Sequence, residues 1–159
     1  MPRHEAAQAQ IAVRYSTTAV AWALGRVGER TYPLRCLAFV EDAYERPNGI
    51  EIFGGDSAAE SAERYATAPY DPLAPPPAGA FVFYACGGPV DGTHRDWGHV
   101  GLALGDGRVV HAWDEVRVDD ARDVEHLPPA TGWTAPRLIG WATPARILDG
   151  HRPRDWDHG

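Results

Sequence analysis

A strong turn signal between two alternating runs restricts the fold of this chain more than any other feature of its sequence. The residues Gly105-Asp106-Gly107 separate the run at 99–104 from the run at 108–113. Alternation of this kind predicts half-buried strands, and a three-residue connection with a left-handed glycine is a common hairpin loop. We therefore expect two adjacent antiparallel strands at this point of the chain.

The length of the turn decides which faces the two histidines occupy. With three loop residues, Gly101 lies opposite His111, and His99 and His111 share one face as diagonal neighbours, roughly 7–8 Å apart at the backbone. The same face carries Gly101 and Ala103, which leave room for the end of a helix to approach. A two-residue Asp-Gly turn would instead shift the register by one residue and place the histidines on opposite faces.

Helical patterns precede the hairpin, and strand patterns surround it. The predicted helices run from a cap at Ser16, Thr17 or Thr18 to about Val27, from Cys36 to about Arg46, and from a cap at Asp56 or Ser57 to about Tyr65. The predicted strands are 81–84, the two strands of the hairpin, and the weaker candidates 115–118 and 137–141. Loops are expected at 68–79 and at 87–96.

Helices first and strands afterwards predict the α+β class, with N-terminal helices packed on a central antiparallel sheet. We expect one domain at residues 16–149. It is preceded by an N-terminal extension at 1–15 and followed by a loose tail at 150–159, since polar chain ends are commonly poorly ordered.

Charge and hydropathy exclude several classes of partner. The formal net charge of −7 argues against a nucleic-acid or anionic-membrane binder, because both need a basic face. No run of apolar residues is long enough for a membrane span, and residues 1–10 lack the apolar core of a signal peptide. The sequence therefore predicts a cytoplasmic protein, or a secreted one if a leader has been removed. It does not indicate an oligomeric state.

Cys36 lies at the predicted start of the second helix, where two effects favour a reactive thiolate. The helix dipole and unpaired backbone N–H groups lower the pKa of a thiol, and Arg35 beside it would act in the same direction. The same N–H groups could form an oxyanion hole for an attacked carbonyl. The alternative is that Cys36 is a small buried apolar residue, as most free cysteines are.

The two histidines favour the catalytic interpretation of Cys36, although either histidine alone would be interpreted as structural or exposed. A nucleophilic cysteine needs a base, and that base needs a partner that fixes its tautomer. We predict that Cys36 is the nucleophile, His99 the base and His111 the residue that orients the base.

Three further residues near the histidines are candidates for contact with a substrate. Trp97 and Trp113 flank the histidine strands and could form the wall of a cleft, although burial in the core is the usual position of tryptophan. Asp114 follows the second strand and could contact a polar substrate group or act only in the turn. Cys86 lacks a helix start and is interpreted as a structural or an incidental thiol.

Other kinds of chemistry find less support in the sequence. The chain contains no lysine, which excludes Schiff-base catalysis, and no GxSxG elbow that would favour a serine hydrolase. We predict no metal and no cofactor, because no metal signature matches the spacing of His94, Asp96, His99, His111 and Asp114.

The helix, one strand and the histidine hairpin together resemble the NlpC-type family of papain-like cysteine peptidases. Residues 36–40 resemble the nucleophile helix of that family, 77–84 the strand that follows, and 98–112 its histidine hairpin. The resemblance implies a compact papain-like core. It also implies cleavage of peptide or amide bonds, such as those of peptidoglycan stem peptides, through a Cys-His-His triad and a thioester intermediate.

The resemblance also implies roles for individual residues. Cys36 corresponds to the nucleophile, His99 to the base, His111 to the third member of the triad, and Tyr32 to the tyrosine on the substrate side. The chain departs from the family at Arg35-Cys36-Leu37-Ala38, where Asp-Cys-Ser-Gly is usual, and it lacks the glycine pair that commonly precedes this motif.

Two other functions would use the same residues and stay open at the level of sequence. An acyltransferase of small-molecule biosynthesis would pass the acyl group from Cys36 to an amine instead of water. A catalytically silent binding module would keep the fold without the chemistry. The predicted function is a cysteine hydrolase that acts on a peptide or on a small-molecule amide.

Overall fold

The computed structural model describes residues 2–65 and 68–157 and has an α+β architecture. The helices are α1 (Pro2–Leu24), α2 (Cys36–Asn48), α3 (Ala58–Arg64) and α4 (Pro144–Ile147), with a 3₁₀ turn at Asp123–His126. The strands are β1 (Ile50–Glu51), β2 (Phe81–Ala85), β3 (Gly87–Val90), β4 (Thr93–Asp96), β5 (His99–Ala103), β6 (Arg108–Ala112), β7 (Val116–Asp120), β8 (Arg137–Ala142) and β9 (Arg152–Pro153).

A five-stranded antiparallel sheet forms the centre of the fold, with the strand order β7-β6-β5-β2-β8. The helices α1 and α2 cover one face of this sheet. The opposite face packs against Ala121 and Val124. The predicted packing of N-terminal helices on a central antiparallel sheet is therefore confirmed. Buried residues between helix and sheet include Phe39, Val40 and Tyr44 of α2 and Phe81, Phe83, Val100 and Leu102 of the strands.

Helix α1 begins at Pro2, much earlier than the predicted caps around Ser16. The segment before Ser16 is rich in Ala, Gln, Glu and Arg, which are strong helix formers. Two of the predicted caps bond backwards inside the helix instead, Ser16 Oγ to the Val13 carbonyl at 3.1 Å and Thr18 Oγ1 to the Arg14 carbonyl at 2.9 Å. The described part of the expected N-terminal extension is thus helical. Neither α1 nor any other described helix is long and apolar enough to cross a membrane.

The predicted starts of the second and third helices are confirmed. α2 begins at Cys36 and is followed by Gly49, a left-handed residue with φ 62°. α3 is capped by Ser57, whose Oγ accepts the N–H of Glu60 at 3.2 Å. Pro47 lies inside the last turn of α2, so that the helix extends slightly beyond its predicted end.

The turn that leads into α2 contains a strained residue. The Arg35 N–H donates to the Tyr32 carbonyl at 3.1 Å and closes this turn. Leu34 occupies its third position with φ 57°, and 69% of the Leu34 surface is exposed. Because the left-handed conformation costs a non-glycine residue about 1–2 kcal/mol, Leu34 holds a geometry that a glycine would adopt without strain.

Residues 87–96, which the sequence predicts as a loop, form a second hairpin. β3 and β4 pair antiparallel along their whole length, and Asp91 and Gly92 in the turn have φ 50° and 80°. Two successive left-handed residues of the type Asp-Gly are typical of a type I′ hairpin turn. The prediction was wrong because the Gly-Gly-Pro run of β3 has low strand propensity.

The tail is docked rather than loose over residues 150–157. β9 pairs with β1, and Trp156 Nε1 donates to the Ile50 carbonyl at 2.8 Å. The guanidinium groups of Arg46 and Arg154 lie 4.2 and 3.9 Å from the centre of the Trp156 ring. The last two residues of the predicted tail, His158 and Gly159, lie outside the described residues.

Candidate active site

The hairpin formed by β5 and β6 has the register that three loop residues predict. Leu102 pairs with Val110 and Ala103 with Val109, so that Gly101 lies opposite His111. Gly107 is left-handed, with φ 92°. The predicted placement of both histidines on one face is therefore confirmed.

His99 and His111 contact each other directly. His99 Nε2 lies 2.8 Å from His111 Nδ1, and the two residues are buried, with 4% and 0% of their surface exposed. A Cβ atom on Gly101 would lie 3.2 Å from the His111 Cβ. The missing side chain at Gly101 therefore makes room for His111 itself. Among the described residues, the buried side chains of α1 and α2 pack on the opposite face of the sheet, with Val100 and Leu102.

A third side chain extends the chain of histidines to β7. His111 Nε2 lies 2.7 Å from Asp119 Oδ2. Arg117 also binds this carboxylate, donating from Nε to Oδ2 at 2.8 Å and from Nη2 to Oδ1 at 3.2 Å. The hydrogen bond with His111, together with those from Arg117, lowers the pKa of Asp119 to about 2. Asp119 is therefore ionised at neutral pH.

Neither Arg117 nor Asp119 was among the predicted site residues. The predicted strand 115–118 contained Arg117, but it ended before Asp119. In the observed register Arg117 lies opposite His111. Asp119, two residues further along β7, therefore occupies the same face as its diagonal neighbour. Extending the predicted strand by one residue would have added Asp119 to the face that already carried Arg117 opposite His111.

Cys36 lies at the first position of α2 as a partly exposed free thiol. The backbone N–H of Val100, the residue that follows His99, lies close enough to the sulfur to lower the Cys36 pKa. Burial raises the pKa of Cys36 to about 11, against the effect of the Val100 and Leu37 N–H groups. Within residues 2–65 and 68–157, no hydrogen bond joins the Cys36 thiol to the His99 ring. The thiol thus keeps its proton at neutral pH.

The imidazole of His99 is also uncharged at neutral pH. Burial lowers its pKa well below the ordinary value, and the neighbouring His111 acts in the same direction. Aromatic rings hold it on further sides, since Trp113 makes an edge contact at 5.1 Å between ring centres and Tyr84 a tilted one at 5.7 Å. Trp113 is therefore a predicted site residue that the structure brings against the candidate base.

The backbone before His99 is fixed by α3. The Ala59 N–H donates to the Trp97 carbonyl at 2.9 Å. Gly98 has φ 76°, and a Cβ atom there would lie 2.6 Å from the Ala59 nitrogen. Only glycine fits this close approach, so that the start of α3 determines where β5 and His99 begin.

Trp97 itself is partly buried at the end of the second hairpin. Its Nε1 donates to the Gly88 carbonyl at 2.9 Å, and the Arg95 guanidinium lies 4.4 Å from the centre of its ring. These contacts hold Trp97 to β3 and β4. It lies two residues before His99 in the chain but makes no ring contact with His99 among the described residues.

Three other predicted site residues have partners elsewhere. The Tyr32 hydroxyl donates to Asp42 at 2.8 Å, and burial raises the pKa of Tyr32 above its ordinary value. The Arg35 guanidinium lies 5.7 Å from the centre of the Tyr32 ring. Asp114 accepts from Arg117 Nη1 at 3.3 Å. Tyr32 and Arg35 therefore pack along α2, and Asp114 lies at the outer end of the Asp119–Arg117 network.

Cys86 follows β2 and is a buried free thiol. Its Sγ donates to the Thr134 carbonyl at 3.4 Å, and it lies close enough to Cys36 for its charge to raise the Cys36 pKa. Burial raises the pKa of Cys86 itself to about 11. Among the described residues, no group of three or more His, Cys, Asp or Glu side chains could hold a metal ion.

Comparisons with known proteins assign no family to the chain. No protein-family model matches it, and no curated protein matches it significantly. The candidate site is therefore interpreted from its own geometry.

Proposed function

We propose that this protein is a cysteine hydrolase with a papain-like, NlpC-type arrangement, in which Cys36 attacks the carbonyl carbon of a peptide or amide bond. The observation that carries the proposal is the 2.8 Å contact of His99 Nε2 with His111 Nδ1. Cys36 at the first position of α2 lies near the backbone N–H of Val100, the residue that follows His99. A base that is oriented by a second residue and lies next to such a thiol is what nucleophilic cysteine catalysis needs.

The reaction starts from an uncharged pair of side chains. Burial raises the pKa of Cys36 and lowers that of His99, so that the proton resides on sulfur before the attack. His99 accepts this proton as the sulfur attacks, and returns it to the leaving amine when the C–N bond breaks. The resulting thioester on Cys36 is hydrolysed by a water molecule that His99 deprotonates.

The N-terminus of α2 supplies the stabilisation that the intermediate needs. The first N–H groups of a helix have no partner within the helix, and here the Leu37 N–H lies beside the Cys36 sulfur. Donors at this position stabilise the negative charge that develops on the attacked carbonyl oxygen.

The class of substrate follows from the resemblance to NlpC-type peptidases, which suggests a peptide of the peptidoglycan type. Transfer of the acyl group to an amine would use the same Cys36 and His99 and differs only in the acceptor. Mass spectrometry of products formed from such peptides, with and without an added amine, separates hydrolysis from transfer.

Alkylation of Cys36 by iodoacetamide tests the proposal without a known substrate. The rate is measured from about pH 6 to about pH 11 in a Cys86→Ser background, so that a single thiol reacts. Because a general base typically contributes about 10²–10⁴-fold, we expect the parent at neutral pH to react roughly 10²-fold faster than His99→Ala. His94→Ala, which removes an exposed histidine of β4, is the matched control and should react like the parent.

Equal rates in the parent and His99→Ala at every pH would overturn the proposal. The catalytically silent binding module would then be favoured, because the thiol would lack a base. A rate that falls in His94→Ala as much as in His99→Ala would show a general effect on the fold instead of base catalysis, and would count against the proposal too.

A further inference from the structure

The side chains of β7 reach the candidate base through His111. Asp119 and Arg117 lie beyond the residues that the Cys-His-His arrangement uses, and both are partly buried, with 14% and 32% of their side-chain surfaces exposed. We propose that Asp119 is a positioning residue that fixes the tautomer of His99 by way of His111. This inference rests on the proposed function, in which His99 is the base.

The argument starts from a group that can only accept hydrogen bonds. Asp119 is ionised, because its pKa lies at about 2, and an ionised carboxylate has no proton to donate. The 2.7 Å contact between Asp119 Oδ2 and His111 Nε2 therefore requires the proton to be on His111 Nε2.

The tautomer of His111 determines that of His99. When His111 carries a single proton and that proton is on Nε2, its Nδ1 has a lone pair. The contact of 2.8 Å between His111 Nδ1 and His99 Nε2 then requires the proton of His99 to be on Nε2. His99 Nδ1 is left with a lone pair, and this nitrogen is available to accept the proton of Cys36.

Arg117 fixes the carboxylate in the orientation that this chain of hydrogen bonds needs. It donates to both oxygens of Asp119, at 2.8 and 3.2 Å. Such a two-point contact restricts rotation of the carboxylate. His111 itself is fully buried, and its two ring nitrogens contact His99 and Asp119. Asp119 thereby fixes the tautomer of His99, although the side chain of His111 lies between them.

Without the Asp119 carboxylate, the positions of the ring protons on His111 and His99 should no longer be fixed. In Asp119→Ala, His111 can carry its proton on Nδ1 and donate it to His99 Nε2. The proton of His99 then resides on Nδ1, where it blocks acceptance from the thiol. In a serine-protease triad, losing control of the histidine tautomer lowers kcat by about 10⁴-fold. With a mixture of tautomers, we expect a smaller loss of neutral-pH alkylation, roughly 10-fold or more.

The test is nitrogen-15 NMR of the histidine rings in the resting protein, which requires no substrate. In the parent we expect both His99 and His111 to carry the proton on Nε2. In Asp119→Ala, His99 should show a substantial population with the proton on Nδ1, together with slower alkylation of Cys36. Asp120→Ala, which removes the exposed neighbouring carboxylate of β7, should retain the tautomers and the rate of the parent.

Each outcome decides the inference. A proton on Nδ1 of His111 in the parent would overturn it even if Asp119→Ala does not fold, and so would unchanged tautomers in a folded Asp119→Ala. A changed tautomer combined with alkylation that is indifferent to His99 would support the positioning role while overturning the proposed function. The two failures are therefore distinguishable.

Discussion

Two carboxyl groups of this fold have pKa values on opposite sides of the ordinary range, for reasons visible in their contacts. Asp119 is paired with Arg117 and His111, and its pKa falls to about 2. Glu41 on α2 has no ion pair within the described residues, and its pKa rises to about 8 although the nearby Gly54 N–H lowers it. Burial is the largest cause, followed by the negative charges of Glu45 and Asp42.

The raised pKa of Glu41 predicts a loss of stability with increasing pH. The folded protein holds this proton up to about pH 8, whereas the unfolded chain releases it near the ordinary value of about 4.3. The free energy of unfolding should therefore fall as the pH rises between these values. Glu41→Gln keeps the acceptor for Gly54 without the charge, and should be more stable than the parent by on the order of 3 kcal/mol above pH 8.

Urea unfolding at a series of pH values measures this difference. Glu63→Gln, on the exposed side of α3, is the control and should follow the parent at every pH. An advantage of Glu41→Gln that is the same at pH 4 as at pH 9 would argue that it comes from packing and not from titration of Glu41.

For single residues, sequence predictions depend on whether the backbone alone determines the position of the side chain. Strand alternation and the length of one turn are enough to predict that His99 and His111 share a face. The directions of Tyr32 and Arg35 are set by side chains on α2, including Asp42 and Phe39, and no local pattern encodes these contacts. The roles of Cys36 and His99 as nucleophile and base stay predictions.

At the scale of elements, the start of α3 and the start of β5 are fixed against each other by direct backbone contact. Gly98 tolerates no side chain because the Ala59 nitrogen lies where a Cβ atom would be. This contact explains how a short helix determines the position of a histidine in the central sheet. Because Gly98 is also left-handed, the position has two separate requirements for glycine.

A pair of glycine substitutions separates these two requirements. Gly92→Ala adds a methyl group at φ 80° with no atom within 4 Å, and should cost only the backbone strain of about 1–2 kcal/mol. Gly98→Ala adds the same strain and a clash with α3, which should cost a further 1–3 kcal/mol or so. Thermal unfolding monitored by circular dichroism gives both values.

The further consequence for Gly98→Ala is a displaced His99, which should slow the alkylation of Cys36 at neutral pH. Gly92→Ala should leave that rate unchanged, because the β3–β4 turn makes no contact with the histidines among the described residues. Equal losses of stability in the two variants would contradict the role of the Ala59 contact.

Elements differ in how far sequence predicts them. The hairpin of β5 and β6 and the starts of α2 and α3 follow from turn residues, caps and spacing, which are local signals. The predicted start of α1 was wrong because strong helix formers continue upstream of Ser16, and no capping residue there marks where the helix begins. The hairpin of β3 and β4 was missed because its pairing overrides the poor strand propensity of its own residues.

At the scale of the whole molecule, the C-terminal segment joins parts of the chain that are distant in sequence. Trp156 bonds to Ile50 and lies between Arg46 and Arg154. Arg46 belongs to α2, so that the segment braces the helix that carries Cys36. The pairing of β1 with β9 covers only two residues of each strand and would contribute little alone. The Trp156 ring adds apolar surface to this contact.

Substitution of Trp156 tests how much the C-terminal segment contributes to stability. Trp156→Ala loses the hydrogen bond, the two cation–π contacts and the partly buried ring, and should lower the free energy of unfolding by about 2–3 kcal/mol. Trp156→Phe keeps the ring and loses only the donor to Ile50, and should cost about 1 kcal/mol. Chemical denaturation measures both, and equal effects of the two variants would assign the contribution to the hydrogen bond alone.

The pairing of β1 with β9 also has a consequence for synthesis of the chain on the ribosome. Ile50 of β1 is translated 106 residues before Trp156, to which it is hydrogen-bonded. The partner strand β9 is likewise made near the end of synthesis. During that interval the edge of β1 has no strand beside it, and unpaired edges recruit strands from other chains. A product that terminates early would keep this edge open, so that premature termination should produce aggregates and not a shorter functional protein.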